Sequence, residues 1–374
     1  MTMTPPTIAI TGGHVLCPAT SLIGPADILV EGGRVTRIAP PGELARADAV
    51  LDASSCIVVP GLVDVHVHLR EPGGEHKETI ASGTRAALMG GFTTVLAMPN
   101  TDPAPDCPEH VRAIRALMDA GAWCRTHIIG AATVGNDCER LTDFAALKAA
   151  GCIAISDDAF MLRTREQRRE ALRQCAAAGL VFIAHLEDPG LSGDGVMHEG
   201  EVSRRLGVPG QRPETEVRCL EAWREAWDDD AAPPLHLAHV STVATCEALR
   251  DWPAGPTAET APHYLTLTDE AVAERGANAK MNPPLKTDAD RAALVQALRD
   301  GTITCIATDH APHTSEEKSA GLVDAPFGIV GLETALGVVW ERLVHGGAMP
   351  ERRVMAALTA GPAAVFDMKA GRIA

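Results

Sequence analysis

Short stretches of alternating apolar and polar residues, separated by glycine and proline, make up the first part of the chain. The extended segments are Thr7–Thr11, Asp27–Val30, Arg34–Ile38 and Ala49–Asp52. Gly-Gly and Pro-Pro pairs lie between several of them, and such pairs favour turns. The pattern predicts a small β-sheet domain over residues 1–55.

From Ile57 onward, β-branched runs alternate with stretches rich in Ala, Leu and Arg. Strands that alternate with helices in this way indicate βα units on a parallel sheet. The predicted strands are Val58–His68, Thr93–Ala97, Cys124–Ile129, Ile153–Ser156, Val181–His185, Leu235–His239, Thr257–Thr260 and Ile303–Ala307. Helices are predicted near residues 79–90, 108–120, 139–150, 164–178, 212–227, 242–250, 288–299 and 331–343. This order predicts an α/β protein with a (β/α)8 TIM-type barrel over residues 56–368.

Capping patterns support two of these helices. Thr164 and Gln167 have the spacing of a capping box, and Gly179 can end that helix in the left-handed conformation. The spacing recurs in the segment Thr287-x-x-Asp290. The acidic run 228–230 is interpreted as a solvated helix end.

Composition narrows the class of protein. The 374 residues carry 33 Lys and Arg against 49 Asp and Glu, a net charge of −16, which argues against a nucleic-acid binder. The ten cysteines include no C-x-x-C pair, which favours reduced thiols in an intracellular protein. The sequence has neither a membrane-spanning apolar run nor a signal peptide at its start. A cytoplasmic location is therefore predicted.

Imidazole and carboxylate side chains follow five of the predicted barrel strands. His66 and His68 stand two residues apart on the first strand and so face the same side. The other candidates are Asp157, Asp158, His185, His239 and Asp309. Barrel enzymes build their active sites at these carboxyl ends, and this donor set suits zinc or a similar divalent ion. Four histidines and two carboxylates, counting one aspartate from the Asp157-Asp158 pair, exceed the needs of one tetrahedral site, so two ions are predicted, with that aspartate between them.

Each position also has a structural interpretation. A buried His185 or His239 can simply bond a backbone carbonyl, and the His-x-His pair can be a hydrogen-bonded core pair. Asp157 and Asp309 can be helix N-caps. The metal hypothesis is favoured because all of these positions coincide with barrel-strand ends.

Four sequence blocks resemble the amidohydrolase superfamily in its dihydroorotase form. The first is Pro60–Gly73, which contains the His-x-His pair followed by Leu-Arg-Glu-Pro-Gly. The others are Gly90–Thr101, Lys280–Leu285 and Ala307–His313. The resemblance extends from Pro60 to Met368 and is that of a class I dihydroorotase.

The resemblance implies a site with two zinc ions. His66, His68 and Asp309 would bind one ion, His185 and His239 the other, and Asp158 would bridge them. The choice of Asp158 over Asp157 follows the Asp-Asp pair of the family. The implied reaction is the reversible hydrolysis of dihydroorotate to N-carbamoyl-L-aspartate in pyrimidine biosynthesis, by hydroxide held between two cations, with Asp309 as general acid and base.

The family also implies substrate contacts. Arg70, Asn100 and His313 would bind the substrate carboxylate, and Asn282 would contact the dihydropyrimidine ring. The composition of Thr314–Pro326, rich in Ser, Glu, Lys and Gly, predicts a mobile loop over the site.

The chain departs from the family at its end. Residues 369–374 resemble the start of a segment that, in the family, returns strands to the small β domain, so we expect one sheet edge to be unpaired. Other interpretations are an allantoinase or dihydropyrimidinase, or a non-catalytic partner of aspartate transcarbamoylase. A homodimer or a transcarbamoylase complex is the partner expectation, with no nucleic acid and no membrane.

Overall fold

The computed structural model describes residues 6–44, 46–158, 161–227, 233–252 and 255–374. The acidic run 228–230, interpreted above as a helix end, lies outside the described residues. Among the described residues, no helix is both long enough and apolar enough to cross a bilayer.

A five-stranded sheet forms from the first part of the chain, as the alternating pattern predicts. Its strands are β1 Ile8–Cys17, β2 Leu22–Glu31, β3 Arg34–Ala39, β4 Ala49–Asp52 and β5 Ile57–Val58. The order is β3-β2-β1-β4, and β5 pairs with β1 beyond the end of β4. All four residues of β4 are exposed at the edge of the sheet, including Val50 and Leu51. The division of the chain at residues 55 and 368 stays a prediction.

The second sheet has eight parallel strands, and each predicted barrel strand overlaps one of them. The strands after β5 are β6 Leu62–Val67, β7 Phe92–Ala97, β8 Arg125–Ala131, β9 Cys152–Ser156, β10 Val181–Ala184, β11 Met197–His198, β12 Gly210–Gln211, β13 Leu235–Leu237, β14 Thr257–Thr260 and β15 Cys305–Ile306. All of them except β11 and β12 belong to the eight-stranded sheet. Strands β11 and β12 form a separate two-stranded ladder in the connection after β10. The predicted (β/α)8 barrel is thus confirmed.

Asp64 and His310 close the barrel between β6 and the end of β15. His310 forms a parallel bridge with Val67, and its carbonyl accepts from His68 N at 2.8 Å. The buried Asp64 carboxylate accepts from Thr308 N and from His66 N, both at 3.1 Å. These contacts between β6 and the segment after β15 therefore fix the backbone beside the His-x-His pair.

Helices surround the barrel. They are α1 Ile80–Met89, α2 Pro108–Gly121, α3 Phe144–Ala150, α4 Arg165–Ala178, α5 Pro189–Ser192, α6 Glu201–Leu206, α7 Thr215–Ala226, α8 Val243–Arg250, α9 Pro262–Thr266, α10 Glu270–Arg275, α11 Asp288–Asp300, α12 Ser315–Lys318, α13 Ala335–Val339, α14 Glu351–Leu358 and α15 Ala360–Val365. Helix α13 continues as a π-helix, Trp340–His345. Both predicted capping boxes are present, at the starts of α4 and α11, and Gly179 ends α4 with φ 62°. The helix predicted near 139–150 begins only at Phe144, because Asp143 caps it there.

Two layers of apolar packing hold the barrel. Phe92, Phe144, Phe182 and Trp223 belong to the larger core cluster, which joins barrel strands to the helices around them. A smaller cluster, including Val63, Leu96 and Ile129, combines side chains from several barrel strands with Phe366. Phe366 directly follows α15, so the last helix delivers an aromatic side chain to the barrel core.

Candidate active site

Six side chains converge at the carboxyl ends of the barrel strands. The predicted ligands His66, His68, Asp158, His185, His239 and Asp309 are all buried. Asp309 and His239 have φ of 48° and 34°, in the left-handed region that non-glycine residues rarely occupy. Such conformations concentrate at functional sites, where the surrounding structure holds them in place.

His66, His68 and Asp309 form one compact group. Asp309 Oδ1 lies 3.0 Å from His68 Nε2 and 3.4 Å from His66 Nε2. One ligand atom from each residue lies within 4.8 Å of the other two, so a single cation can contact all three. This is the first ligand group that the family resemblance implies.

Asp158 lies between this group and the other two histidines. Its Oδ1 atom is 3.4 Å from His185 Nδ1, 3.8 Å from His239 Nε2 and 3.6 Å from His66 Nε2. His185 Nδ1 and His239 Nε2 are 2.8 Å apart. Oδ2 of Asp158 faces His68 Nε2 at 3.7 Å. The carboxylate therefore reaches imidazoles of both groups, as a bridging ligand must.

The residues present fit a divalent metal. His66 Nε2 is buried without a hydrogen-bond partner among the described residues, although it faces two carboxylates. Leaving a buried polar atom unpaired is costly, and a cation at this point would satisfy it. Imidazole nitrogens and carboxylate oxygens are the donors that zinc and similar ions prefer.

The electrostatics of the cluster agree with this fit. Burial by itself lowers the pKa of His66, but the Asp309 and Glu259 carboxylates raise it to about 10. Burial by itself raises the pKa of Asp158, but hydrogen bonds from His185 and His239 outweigh it and hold the pKa well below its usual range. The carboxylates therefore attract positive charge, as protons on the imidazoles or as a cation that replaces those protons.

Asp157 and Asp158 have different surroundings. Asp157 accepts from the backbone N–H groups of Leu162 and His185, at 3.1 and 3.2 Å, and burial raises its pKa to about 7. Its carboxylate thus orders the backbone, whereas that of Asp158 joins the histidines. Neither residue caps the next helix, because Thr164 caps α4.

Two acids behind the histidines, the buried Glu259 and the partly buried Glu187, are not predicted from the sequence. Glu259 on β14 lies 2.7 Å from His66 Nδ1 and 3.1 Å from His236 Nε2. Glu187, two residues beyond His185, lies 2.9 Å from His185 Nε2. The sequence carries a signal for Glu259, because it is the one charged residue in the strand Thr257–Thr260 and a charge within a barrel strand indicates a partner inside the protein.

The predicted substrate residues line a cavity of about 370 Å³ beside the cluster, together with Pro326, Phe327 and Gly328. Arg70 and His313 lie together in it, with Nη2 of Arg70 3.2 Å from Nε2 of His313. Asn100 is held differently, because its Oδ1 lies 2.9 Å from His68 Nδ1 and its Nδ2 donates to Asp158 at 3.2 Å. The structure therefore places Asn100 against two predicted metal ligands as well as in the cavity.

The segment predicted as a loop over the site contains the short helix α12. Lys318 Nζ donates to the carbonyls of Lys280 and Pro326, at 3.1 and 3.0 Å. Lys77 forms an ion pair with Glu317 at 3.1 Å. These contacts bring the end of the segment to the cavity wall, while its mobility stays a prediction.

Comparisons with known proteins find related sequences over most of the chain. A family model described as dihydro-orotase-like matches residues 55–242. A curated dihydroorotase from Pelotomaculum thermopropionicum is 43% identical over 369 residues, covering 98% of this chain and 86% of the relative. A dihydroorotase from Bacillus caldolyticus is 44% identical over 351 residues, covering 93% of this chain and 82% of the relative.

Solved structures show the same fold. The L-hydantoinase (dihydropyrimidinase) from Arthrobacter aurescens superimposes with a TM-score of 0.85 at 21% identity, covering 98% of this chain and 84% of that one. A dihydropyrimidinase from Brevibacillus agri gives a TM-score of 0.81 at 20% identity, with the same coverage. At these identities the likeness establishes the architecture alone.

Proposed function

Because this chain belongs to the dihydroorotase-like family, whose relatives include hydrolytic enzymes, we propose that it is a zinc-dependent dihydroorotase. The reaction is the reversible hydrolysis of (S)-dihydroorotate to N-carbamoyl-L-aspartate in pyrimidine biosynthesis. The convergence of four imidazoles and two carboxylates beside a cavity that holds Arg70 and His313 carries the proposal.

Two zinc ions are proposed. His66, His68 and Asp309 would hold one ion, His185 and His239 would hold the other, and Asp158 would contribute to both sites. When bound, such ions act as Lewis acids that lower the pKa of water and polarise a carbonyl oxygen. The orphaned Nε2 atom of His66 supports the first site. The close approach of His185 to His239 and Asp158 supports the second.

The protein's own residues bind the substrate and move the proton. Arg70 and His313 bind the ring carboxylate, which offsets the repulsion expected from a chain of net charge −16. Asn100 joins them at the carboxylate, and Asn282, which lines the same cavity, contacts the dihydropyrimidine ring. Asp309, whose carboxylate opens onto the cavity, accepts a proton from the attacking water and returns it to the departing ring nitrogen.

The Arg70 and His313 pair favours a dihydroorotase over an allantoinase or dihydropyrimidinase, because dihydroorotate carries a carboxylate that matches it. All six candidate ligands are present, which favours an enzyme over a non-catalytic partner of aspartate transcarbamoylase. A homodimer, a transcarbamoylase complex and a cytoplasmic location stay predictions.

The deciding experiment is metal analysis of the purified protein together with turnover of dihydroorotate, dihydrouracil and allantoin. We expect two zinc ions per chain and hydrolysis of dihydroorotate well above that of the two uncharged rings. Preferred hydrolysis of dihydrouracil or allantoin would replace the assignment. Binding to a transcarbamoylase without turnover at saturating zinc would support the non-catalytic alternative.

A further inference from the structure

We propose that Glu187 is a positioning residue whose single oxygen, Oε2, orients both the metal-ligating His185 and the substrate-binding Asn282. The inference rests on the proposed function and deepens it. Oε2 of Glu187 lies 2.9 Å from His185 Nε2 and 2.6 Å from Asn282 Nδ2. Its side chain is 16% exposed, and that of His185 only 2%, so the contacts are shielded from water.

The contact with His185 determines which ring nitrogen is free to bind a cation. An ionised carboxylate oxygen only accepts hydrogen bonds, so His185 must carry its proton on Nε2. The Nδ1 lone pair is then directed at the cluster, where Asp158 Oδ1 lies at 3.4 Å and His239 Nε2 at 2.8 Å. Carboxylates behind ligating histidines fix the tautomer and raise the basicity of the ring.

The contact with Asn282 determines which way its amide points. Nδ2 donates to Glu187, while Oδ1 accepts from Gln211 Nε2 at 3.0 Å. Gln211 Nε2 in turn donates to the Gly195 carbonyl at 3.3 Å, which fixes it as a donor. A flipped Asn282 would set oxygen against oxygen at Glu187 and nitrogen against nitrogen at Gln211.

The oriented amide is complementary to the ring of the proposed substrate. With one N–H used by Glu187 and one lone pair used by Gln211, Asn282 keeps one donor and one acceptor. Neighbouring N–H and C=O groups of a dihydropyrimidine ring present the matching pair. Asn282 and His185 line the same cavity, so one carboxylate couples the second metal group to substrate binding.

The test compares Glu187→Leu and Glu187→Gln with Glu259→Gln as the matched control. Glu259 also lies behind a predicted metal ligand, His66, but no hydrogen bond joins it to Asn282. Zinc dissociation constants are measured by chelator competition, and KM and kcat for dihydroorotate are measured at saturating zinc.

Glu187→Leu should weaken binding of one zinc ion by about tenfold or more and raise the KM for dihydroorotate by a similar factor. Glu187→Gln, which retains an acceptor oxygen, should recover part of both effects. Glu259→Gln should weaken zinc binding and leave KM unchanged. A Glu187→Leu variant with unchanged zinc affinity, or with unchanged KM, would overturn the inference.

The failure of the proposed function would be recognised separately. Turnover of dihydroorotate by the unmodified protein is measured first, and its absence at two bound zinc ions contradicts the function. The zinc constants of the Glu187 variants, and calorimetric binding of dihydroorotate to them, still decide the positioning role. Equal constants for the unmodified protein and Glu187→Leu would then reject it.

Discussion

Replacing Glu259 with glutamine should weaken zinc binding while leaving the barrel folded. The carboxylate is 1% exposed and bridges His66 Nδ1, at 2.7 Å, and His236 Nε2, at 3.1 Å. An amide can fill the same place, because its oxygen can accept from His66 while its NH2 group donates to His236. The other His236 nitrogen faces the Thr257 hydroxyl at 2.8 Å, which can donate or accept, so His236 is free to change tautomer.

The expected loss follows from the change in one hydrogen bond. A hydrogen bond to a charged group contributes about 1.5–3 kcal/mol, and one between neutral groups about 0.5–1.5 kcal/mol. The difference of roughly 1–1.5 kcal/mol at His66 corresponds to about a tenfold loss of metal affinity. This lies at the low end of the roughly 10- to 100-fold range for such outer partners, as expected for a variant that keeps the acceptor.

The assay is competition for zinc between the protein and a chelator of known affinity. Asp27→Asn is the control, because Asp27 is also a fully buried carboxylate but accepts from Gly12 N and Gly42 N in the small sheet. The control should lower the free energy of unfolding without changing zinc affinity. Equal zinc affinity in Glu259→Gln and the unmodified protein would refute the reasoning, as would equal losses in both variants.

Three further predictions follow from the site and the core. Asp309→Asn should retain most zinc but lower kcat by a factor on the order of 10²–10⁴, the size of a lost general base; unchanged kcat would remove Asp309 from that role. Arg70→Ala should mainly raise the KM for dihydroorotate, with Arg70→Lys intermediate, and an unchanged KM would count against the carboxylate contact. Burial raises the pKa of the Cys246 thiol to about 12 from an ordinary value of 9.0. The unfolded chain therefore loses this proton first, and stability should fall as pH rises from about 9 to 12, by up to about 1.4 kcal/mol per pH unit for such a thiol. Urea titrations of the unmodified protein and Cys246→Ala check this, and an identical slope in both would contradict it.

The barrel, and the meeting of the candidate ligands at one end of it, could be predicted because both follow from local patterns. Eight β-branched runs separated by helical stretches leave few alternatives to a closed parallel sheet, and polar residues at strand ends then meet on one rim. His66 and His68 were placed by period-two alternation alone. The choice of Asp158 over Asp157 as the bridging ligand rests on the family resemblance and stays a prediction. In the structure, the Asp157 carboxylate accepts from two backbone N–H groups.

Other features depend on contacts between residues far apart in the chain. Asp64 and Thr308 meet only because the barrel closes, and no pattern along either segment predicts this hydrogen bond. The short helices α5, α6, α9 and α10 lie in the connections after β10 and β14, where the periodic signal is too brief to predict a helix. The packing of Phe366 in the barrel core also depends on distant contacts, because its partners lie on strands much earlier in the chain.

The two unpredicted acids explain why the site needs more than its six predicted ligands. Four imidazoles packed around two carboxylates have many protonation and rotamer states, and only some direct a lone pair from each ring toward a common point. Glu259 and Glu187 each fix the protonation and orientation of one ring. Each accepts a hydrogen bond from the ring nitrogen that points away from the cluster, which is Nδ1 in His66 and Nε2 in His185. Asn100 does the same at His68, where its Oδ1 atom lies 2.9 Å from Nδ1. The pattern at the strand ends therefore indicates which atoms can bind a cation, while acceptors from a neighbouring strand and from loops orient three of the four imidazoles, those of His66, His68 and His185.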